Sequence, residues 1–149
     1  MRLGIISDTH NVLKDEVLTY LKDCDYIIHA GDVGEQSIID QLNILAKTFI
    51  VRGNNDKGDW GSQLPDYLEI ELDNILIYVV HDQKDIPKQL EHVDLVIYGH
   101  SHKYHEEIRD GIIFLNPGGC GRRRFSLPLT MAVVELTGDN MTINKIELD

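Results

Sequence analysis

Basic residues are scarce in this chain: its 149 residues include 14 Lys and Arg against 25 Asp and Glu, for a formal net charge of −11. Proteins that bind nucleic acid non-specifically need clustered cationic side chains to displace counterions from phosphates. We therefore expect no stable nucleic-acid binding.

Long apolar runs are also missing. The longest, such as Ile75 to Val80, have only the length of a strand, whereas a helix that spans a bilayer needs about 20 apolar residues. The amino terminus enters a strand at Leu3 with no basic and then apolar leader before it. We therefore expect no membrane association and a cytoplasmic location.

Cysteine is the third scarcity, because Cys24 and Cys120 lie far apart and in no C-x-x-C pair. This argues against a disulfide framework and predicts one small buried residue and one loop residue. The remaining composition, 42% apolar and 26% charged, suits a compact soluble protein with its own core. The length is normal for one domain, and we predict a single domain over residues 1–149.

Strands and helices alternate in the first half of the chain, and strands dominate afterwards. Apolar stripes predict helices from Leu13 to Cys24 and from Ile38 to Leu45, and a short helix is predicted from about Asp85 to Glu91. Pro87 would lie in the first turn of that helix. The predicted strands are 3–7, 26–29, 48–51, 67–72, 75–80, 94–98, 112–115, 129–136 and 141–148. This order indicates an α/β fold of two packed mixed sheets with helices on the outer faces.

Residue types that bind metal ions follow five of the apolar runs. In open α/β sheets the carboxyl ends of the strands form the edge where ligands bind, so these side chains should share one pocket. The candidate ligands are Asp8, His10, Asp32, Asn54, His81, His100 and His102.

Each candidate also has a simpler explanation. Asp8 could cap the helix that begins near Leu13, His10 could be an exposed surface residue, and Asn54 and Asp56 beside Gly53 could be turn formers. His81 is harder to explain in this way, because a buried strand seldom ends in an imidazole without a partner. The coincidence of all these positions favours the metal site.

The ordered pattern D-x-H, G-D, G-N-x-D, H and G-H-x-H resembles the calcineurin-like metallophosphoesterases, especially the small bacterial and archaeal phosphodiesterases of that superfamily. The resemblance covers Leu3 to about Pro117, and the turn at Asn116-Pro117-Gly118-Gly119 is similar to the one that follows the last site loop in the family. It implies an α/β/β/α sandwich.

The resemblance also implies a division of the ligands between two divalent ions. Asp8, His10 and His102 would hold one ion, Asn54, His81 and His100 the other, and Asp32 would bridge them. A hydroxide shared by the ions would attack the phosphorus of a small phosphoester substrate. The family favours manganese, while imidazole, amide and carboxylate ligands also suit iron, cobalt, zinc or nickel.

Two residues depart from the family pattern. Asn55 stands where many superfamily phosphatases have a His that protonates the leaving oxygen, and a carboxamide cannot act as an acid at pH 7. We place Asn55 and Asp56 in the catalytic group, with Asp56 as a candidate to orient an imidazole at position 55. Asp82 follows His81 where the family usually has Gly, and the sequence offers no explanation for it.

Arg122, Arg123 and Arg124 form the one basic cluster, a few residues beyond Pro117. Arginine suits bidentate phosphate recognition, so the cluster could contact substrate or form an ordinary solvated loop. Trp60 and Tyr104 could stack on an aryl or nucleobase group, or could anchor contacts in a homo-oligomer.

The leading prediction is a metal-dependent phosphoesterase that acts on phosphodiesters. A phosphomonoesterase or nucleotidase is the second possibility. The third is a scaffold of the same fold that binds partner proteins without turnover, as the resemblance to the retromer subunit of the superfamily implies. A pure scaffold would have no need to retain all seven ligand positions present in this chain.

Overall fold

Ten strands and three α-helices make up the computed structural model, which describes residues 1–149. The helices are α1 (Asp15–Leu21), α2 (Gln36–Leu45) and α3 (Asp59–Ser62), and one 3₁₀ turn covers Gln83–Asp85. The strands are β1 (Arg2–Ile6), β2 (Tyr26–His29), β3 (Lys47–Ile50), β4 (Tyr67–Leu72), β5 (Ile75–Val80), β6 (Leu95–Ile97), β7 (His105–Arg109), β8 (Ile112–Asn116), β9 (Thr130–Thr137) and β10 (Asn140–Glu147). None of the helices has the length and apolar character that a membrane-spanning helix requires.

The strands form two five-stranded mixed sheets, so the predicted fold class is confirmed. The first sheet has the order β10-β9-β1-β2-β3, with β1, β2 and β3 parallel and β9 antiparallel to β1. The second has the order β4-β5-β6-β8-β7, with β5, β6 and β8 parallel between two antiparallel edge strands.

The main apolar core lies between the two sheets. Successive residues of a strand point to opposite faces, so Ile5 of β1 joins Ile28 and Ile97 in this core while Ile6 belongs to a second cluster beneath the helices. Val17 of α1 packs in that second cluster. Burial of each such side chain contributes roughly 1.5–3 kcal/mol.

The predicted helix from Asp85 to Glu91 is wrong. Its chain forms only the 3₁₀ turn at Gln83–Asp85 and then runs irregularly across the outer face of the second sheet. Pro87 disfavours helical geometry at the residue before it, and Ile86 accordingly has extended backbone angles of φ −69° and ψ 127°. The partly buried side chains of Ile86 and Leu90 still pack against that face.

Two further elements were not predicted from the sequence. Strand β7 is exposed along most of its length, and its Ile108 is 71% exposed, so it lacks the apolar alternation that marks a half-buried strand. Helix α3 is only four residues long and contains Gly61. The predicted strands otherwise agree with the observed ones to within one or two residues.

Candidate metal centre

The turns after five strands meet at one edge of the two sheets. Strands β1, β2 and β3 lead into the Asp8, Asp32 and Asn54 turns, and β5 and β6 lead into the turns of the second sheet that carry His81 and His100. Within the first sheet the Asp8 amide donates to the Gly31 carbonyl at 3.0 Å. Between the sheets the His100 amide donates to Asp8 Oδ2 at 3.1 Å. Hydrogen bonds between these turns therefore hold candidate ligand residues from both sheets at one site.

Glycine permits two of these close approaches. A Cβ at Gly99 would overlap Ser7 Oγ and lie 2.9 Å from Asp8 Oδ2. A Cβ at Gly53 would overlap the backbone and carboxylate of Asp32. The glycines before the ligand residues thus allow the two sheets and the neighbouring turns to pack closely.

Asp8, His10 and His102 form the first ligand group. Their donor atoms all lie within 4.8 Å of one another. The Nε2 atoms of His10 and His102 are 3.3 Å apart, and each lies 3.6–3.7 Å from Asp8 Oδ1. This spacing leaves room for one cation among three donors.

Asp32, His81 and His100 form the second ligand group, whose donor atoms also lie within 4.8 Å of one another. His81 Nε2 lies 3.3 Å from both Asp32 Oδ2 and His100 Nδ1. Asn54 Oδ1 completes the group, at 3.0 Å from His81 Nε2 and 3.2 Å from His100 Nδ1. All seven predicted ligand residues therefore come together.

The carboxylate of Asp32 lies between the two groups. Its Oδ2 atom is 3.3 Å from His81 Nε2 in the second group and 3.6 Å from His10 Nε2 in the first. No other carboxylate comes as close to an imidazole of each group, since Asp8 Oδ1 is 4.0 Å from His81 Nε2.

Two features of the site fit a metal ion. Asp8 Oδ1 is buried and accepts no hydrogen bond, an expensive arrangement for a carboxylate oxygen unless a cation faces it. The ring of His81 is held in one tautomer, because its Nδ1 can only donate to the Ala30 carbonyl, 2.7 Å away. In the neutral ring, His81 Nε2 is therefore the unprotonated atom, aimed at Asp32 and Asn54, where it could bind a cation in place of a proton.

Asp32 and His81 each shift the pKa of the other. Burial alone would raise the pKa of Asp32, but the hydrogen bonds from His81 and the Asn55 amide outweigh it and hold the pKa well below its usual range. Burial likewise lowers the pKa of His81, but the contact with Asp32 and the charge of Asp8 raise it to about 9. Protons and metal ions would thus compete for the same ligand atoms.

Backbone strain is concentrated in the ligand turns. Left-handed backbone angles outside glycine cost on the order of 1 kcal/mol or more each and persist where the surroundings impose them. Five of the seven ligand residues have positive φ values: Asp8 (55°), His10 (45°), Asp32 (59°), His100 (74°) and His102 (64°).

Asn55 donates hydrogen bonds in the site, whereas Asp56 accepts them. The Asn55 backbone and side-chain amides both donate to Asp32, at 2.9 and 3.1 Å. Asp56 is buried, and its two oxygens accept the amides of Gly53, Asp32 and Gly34 at 2.8–3.2 Å. The Asp56 carboxylate therefore holds neighbouring turns together, and both of its oxygens are already engaged.

Asp82, which the sequence left unexplained, contacts both the 3₁₀ turn and His100. Its Oδ1 accepts the Lys84 amide at 3.1 Å and so caps the 3₁₀ turn, while its Oδ2 lies 3.6 Å from His100 Nε2. The carboxylate therefore lies behind a ligand imidazole, on the side away from the His81 contact.

His29 and Thr9 support the first group, and the sequence analysis did not identify them. His29 Nδ1 accepts the Gly31 amide at 3.0 Å, so its Nε2 carries the proton and donates to Thr9 Oγ1 at 3.0 Å. Thr9 in turn donates to the Val33 carbonyl at 2.7 Å. Burial lowers the pKa of His29 to about 4, which keeps the ring neutral. The chain of bonds ties the turn between Asp8 and His10 to the turn that carries Asp32.

Different clefts flank the two ligand groups. Beside the second group, a cavity of about 410 Å³ contains the stacked rings of Tyr67 and Tyr78, whose centroids are 5.6 Å apart. Beside the first group, a cavity of about 390 Å³ is lined by Arg122, Arg123 and Arg124 with three polar residues. The arginine cluster therefore lies next to the site.

Trp60 and Tyr104 line neither of these cavities. Trp60 packs against the cluster beneath the helices, and Tyr104 packs against the core between the sheets. Cys24 and Cys120 are free and buried, and Cys120 lies in the turn after β8 as expected of a loop residue.

The family model of the calcineurin-like phosphoesterase superfamily domain matches residues 1–139. The chain belongs to this superfamily.

Two curated relatives of this chain are proteins of Methanocaldococcus jannaschii. A probable metallophosphoesterase is 35% identical over 79% of this chain and 67% of its own length. A phosphodiesterase is 27% identical over 80% of this chain and 84% of its own length.

Two solved structures share the fold. An archaeal phosphodiesterase superposes with a TM-score of 0.81 at 24% identity, covering 99% of this chain and 100% of the other. Wild-type Vps29 of Entamoeba histolytica complexed with Zn²⁺ superposes with a TM-score of 0.76 at 20% identity, covering 99% of each chain.

Proposed function

We propose that this phosphoesterase hydrolyses phosphodiesters with two divalent metal ions, manganese in the first instance. The observation that carries the proposal is the arrangement of seven donor residues in two groups, with the Asp32 carboxylate facing both. The named phosphodiesterase among the relatives supports the choice of diesters.

The residues of the chain fit the proposed division. Asp8, His10 and His102 would hold one ion, His81, His100 and Asn54 the other, and Asp32 would contact both. When bound, the ions would supply water that is acidic near neutral pH and would neutralise charge on the phosphoryl oxygens.

The rest of the site orients these ligands. The Ala30 carbonyl fixes the His81 tautomer, and Ser7 Oγ donates to Asp8 Oδ2 at 2.7 Å, which leaves Asp8 Oδ1 free for a cation. We assign two contacts to the side-chain amide of Asn55, one with Asp32 and one with a phosphoryl oxygen of the substrate. Asp56 has a positioning role in this proposal, because both of its oxygens accept backbone amides.

The absence of an acid at Asn55 favours esters with good leaving groups over alkyl esters. Loss of a general acid typically costs about 10² to 10⁴ in rate where the leaving oxygen needs a proton. A monoester and a diester with an alkoxide leaving group would both need such a proton donor, and the side-chain amide of Asn55 cannot supply one.

Reconstitution tests the proposal. Purified protein is stripped with chelator, desalted, and reloaded with Mn²⁺, Fe²⁺, Co²⁺, Zn²⁺ or Ni²⁺, and metal content and hydrolysis of matched phosphomonoesters and phosphodiesters are measured together. We expect no turnover after chelation and the highest diester turnover with Mn²⁺. A fully metallated protein that cleaves no phosphodiester but captures one stoichiometric protein partner would replace the proposal with the scaffold function.

A further inference from the structure

The arginines of this chain fall into two classes. Arg2, Arg52 and Arg109 each form an ion pair with a carboxylate. The remaining arginines come within 4.0 Å of no carboxylate, although the chain has a net charge of −11. These unpaired residues are consecutive and all belong to one loop: Arg122, Arg123 and Arg124.

The loop lies beside the first ligand group of the metal centre. All three arginines line the cavity of about 390 Å³ that also contains His10, Asn11 and His102, and no apolar residue contributes to its wall. Arg124 Nη1 comes within 3.4 Å of His102 Nε2. Three positively charged residues therefore line the cavity beside the first ligand group without an anionic partner of their own.

Backbone contacts hold the base of this loop in place. The Gly119 amide donates to the His102 carbonyl and the Cys120 amide to the Ser7 carbonyl, both at 3.3 Å. A Cβ at Gly121 would overlap the Thr9 carbonyl, so the chain just before the arginines packs directly on the turn between Asp8 and His10. The Leu127 amide donates to the Arg124 carbonyl at 3.2 Å and closes the loop as a turn.

We propose that Arg122, Arg123 and Arg124 form a subsite for a second, non-reacting phosphate, so that the preferred substrates are small phosphodiesters that carry an additional phosphate group. This inference rests on the proposed diesterase function. A diester phosphate carries a single negative charge, whereas a terminal phosphate carries about −1.5 to −2 at pH 7. Guanidinium groups bind such a group through paired, charge-assisted hydrogen bonds. The added phosphate would supply the anionic partner that these arginines lack.

A matched pair of substrates tests the subsite. The nitrophenyl ester of thymidine monophosphate and the same ester phosphorylated on its free sugar hydroxyl have one reacting diester and one leaving group in common. With Mn²⁺-loaded protein we expect the added phosphate to lower KM by about 10-fold, allowing for solvent screening at exposed arginines. The double variant Arg122→Gln/Arg123→Gln should lose most of this difference, while Arg2→Gln/Arg109→Gln, which removes the same two charges at paired surface sites, should keep it.

A binding measurement separates the subsite from the chemistry. Titration calorimetry with thymidine bisphosphate and thymidine monophosphate should give tighter binding of the bisphosphate, and the double variant should bind the two alike. Turnover of both esters with equal KM, unchanged in the double variant, would overturn the subsite and leave the diesterase proposal intact. No turnover of either ester, together with a bisphosphate preference that the double variant loses, would overturn the diesterase proposal and support the subsite.

Discussion

The two ligand groups contain the same types of side chain, but their surroundings differ. The Asp8 group adjoins a wholly polar cavity with three unpaired arginines. The Asp32 group adjoins a cleft with two stacked tyrosines, in which Arg52 is already paired with Asp66. The two groups of candidate ligands therefore resemble each other, while the clefts beside them differ in charge and polarity. We expect a bound diester to place an anionic arm on the arginine side and a ring on the tyrosine side.

The two groups also differ in how they are supported. Behind the Asp8 group lies a buried chain of hydrogen bonds through Thr9 and His29. Behind His100 lies the partly buried Asp82, and the His100 side chain is 46% exposed. Substitutions should therefore have unequal effects on the two sides, and the residue between them should affect both.

Asp32→Ala should have the largest effect, because its carboxylate faces both groups. After reconstitution with Mn²⁺ and desalting, mass spectrometry should show that the metal content falls from about two ions per chain to well below one. Diester turnover should fall by more than the roughly 10- to 100-fold typical of residues behind a metal ligand. Asp40→Ala, at an exposed position of α2, is the matched control. Retention of both ions in Asp32→Ala would refute the bridging assignment.

His102→Ala and His81→Ala test whether the groups are separable. Each variant removes one imidazole from one group, so each should retain about one tightly bound ion and lose the other. Titration of the stripped proteins with Mn²⁺ should therefore show one weakened phase in each variant. If either substitution abolishes both phases equally, the seven residues act as a single cluster and the comparison between two groups fails.

The Asn55→His variant tests whether the site lacks a general acid for the leaving oxygen. In the parent protein, turnover should depend steeply on the pKa of the leaving group. The imidazole should raise kcat/KM for alkyl esters by up to about 10²-fold and change the nitrophenyl ester little. Asn55→Ala, which removes the amide that donates to Asp32 but adds no acid, separates the two effects. A flat dependence on leaving-group pKa in the parent would mean that another group already donates the proton.

The meeting of the seven candidate ligands could be predicted from the sequence because each lies in a turn that follows a strand, and topology carries those strand ends to one edge. The residues that support the ligands were harder to identify. Asp56 looks like a turn former in the sequence, and only the packing of the Asp32 and Asn54 turns places its carboxylate against three backbone amides.

His29 could have been found. The argument that marked His81, an imidazole at the end of a buried strand, applies equally to His29, which ends β2 two residues before Gly31. In contrast, nothing in the sequence predicts that the arginine loop lies on the Asp8 side of the site. That placement depends on the backbone contacts of Gly119 with His102 and of Cys120 with Ser7, which lies more than a hundred residues away in the chain.

His29→Phe should weaken the first group selectively. The ring volume is kept, but the hydrogen bonds to Gly31 and Thr9 are lost, so the turn between Asp8 and His10 is less firmly held. We expect the affinity for one ion to fall by about 10- to 100-fold and the other to change little. His105→Phe on the exposed strand β7 is the control, and circular dichroism checks that both variants fold. Equal weakening of both ions would mean that His29 supports the whole sheet edge instead of one group.

Asp82→Asn should have the smallest effect and should fall on the second group. Asparagine keeps an oxygen that can cap the 3₁₀ turn through the Lys84 amide but removes the charge that lies 3.6 Å from His100 Nε2. Because His100 is partly exposed, water screens this interaction, and we expect the affinity for the second ion to fall by only about 2- to 5-fold. Asp85→Asn removes the same charge in the same cleft without a contact to His100, and it should change that affinity less. If the two variants weaken the ion equally in a Mn²⁺ titration, the negative potential of the cleft is responsible and Asp82 does not orient His100.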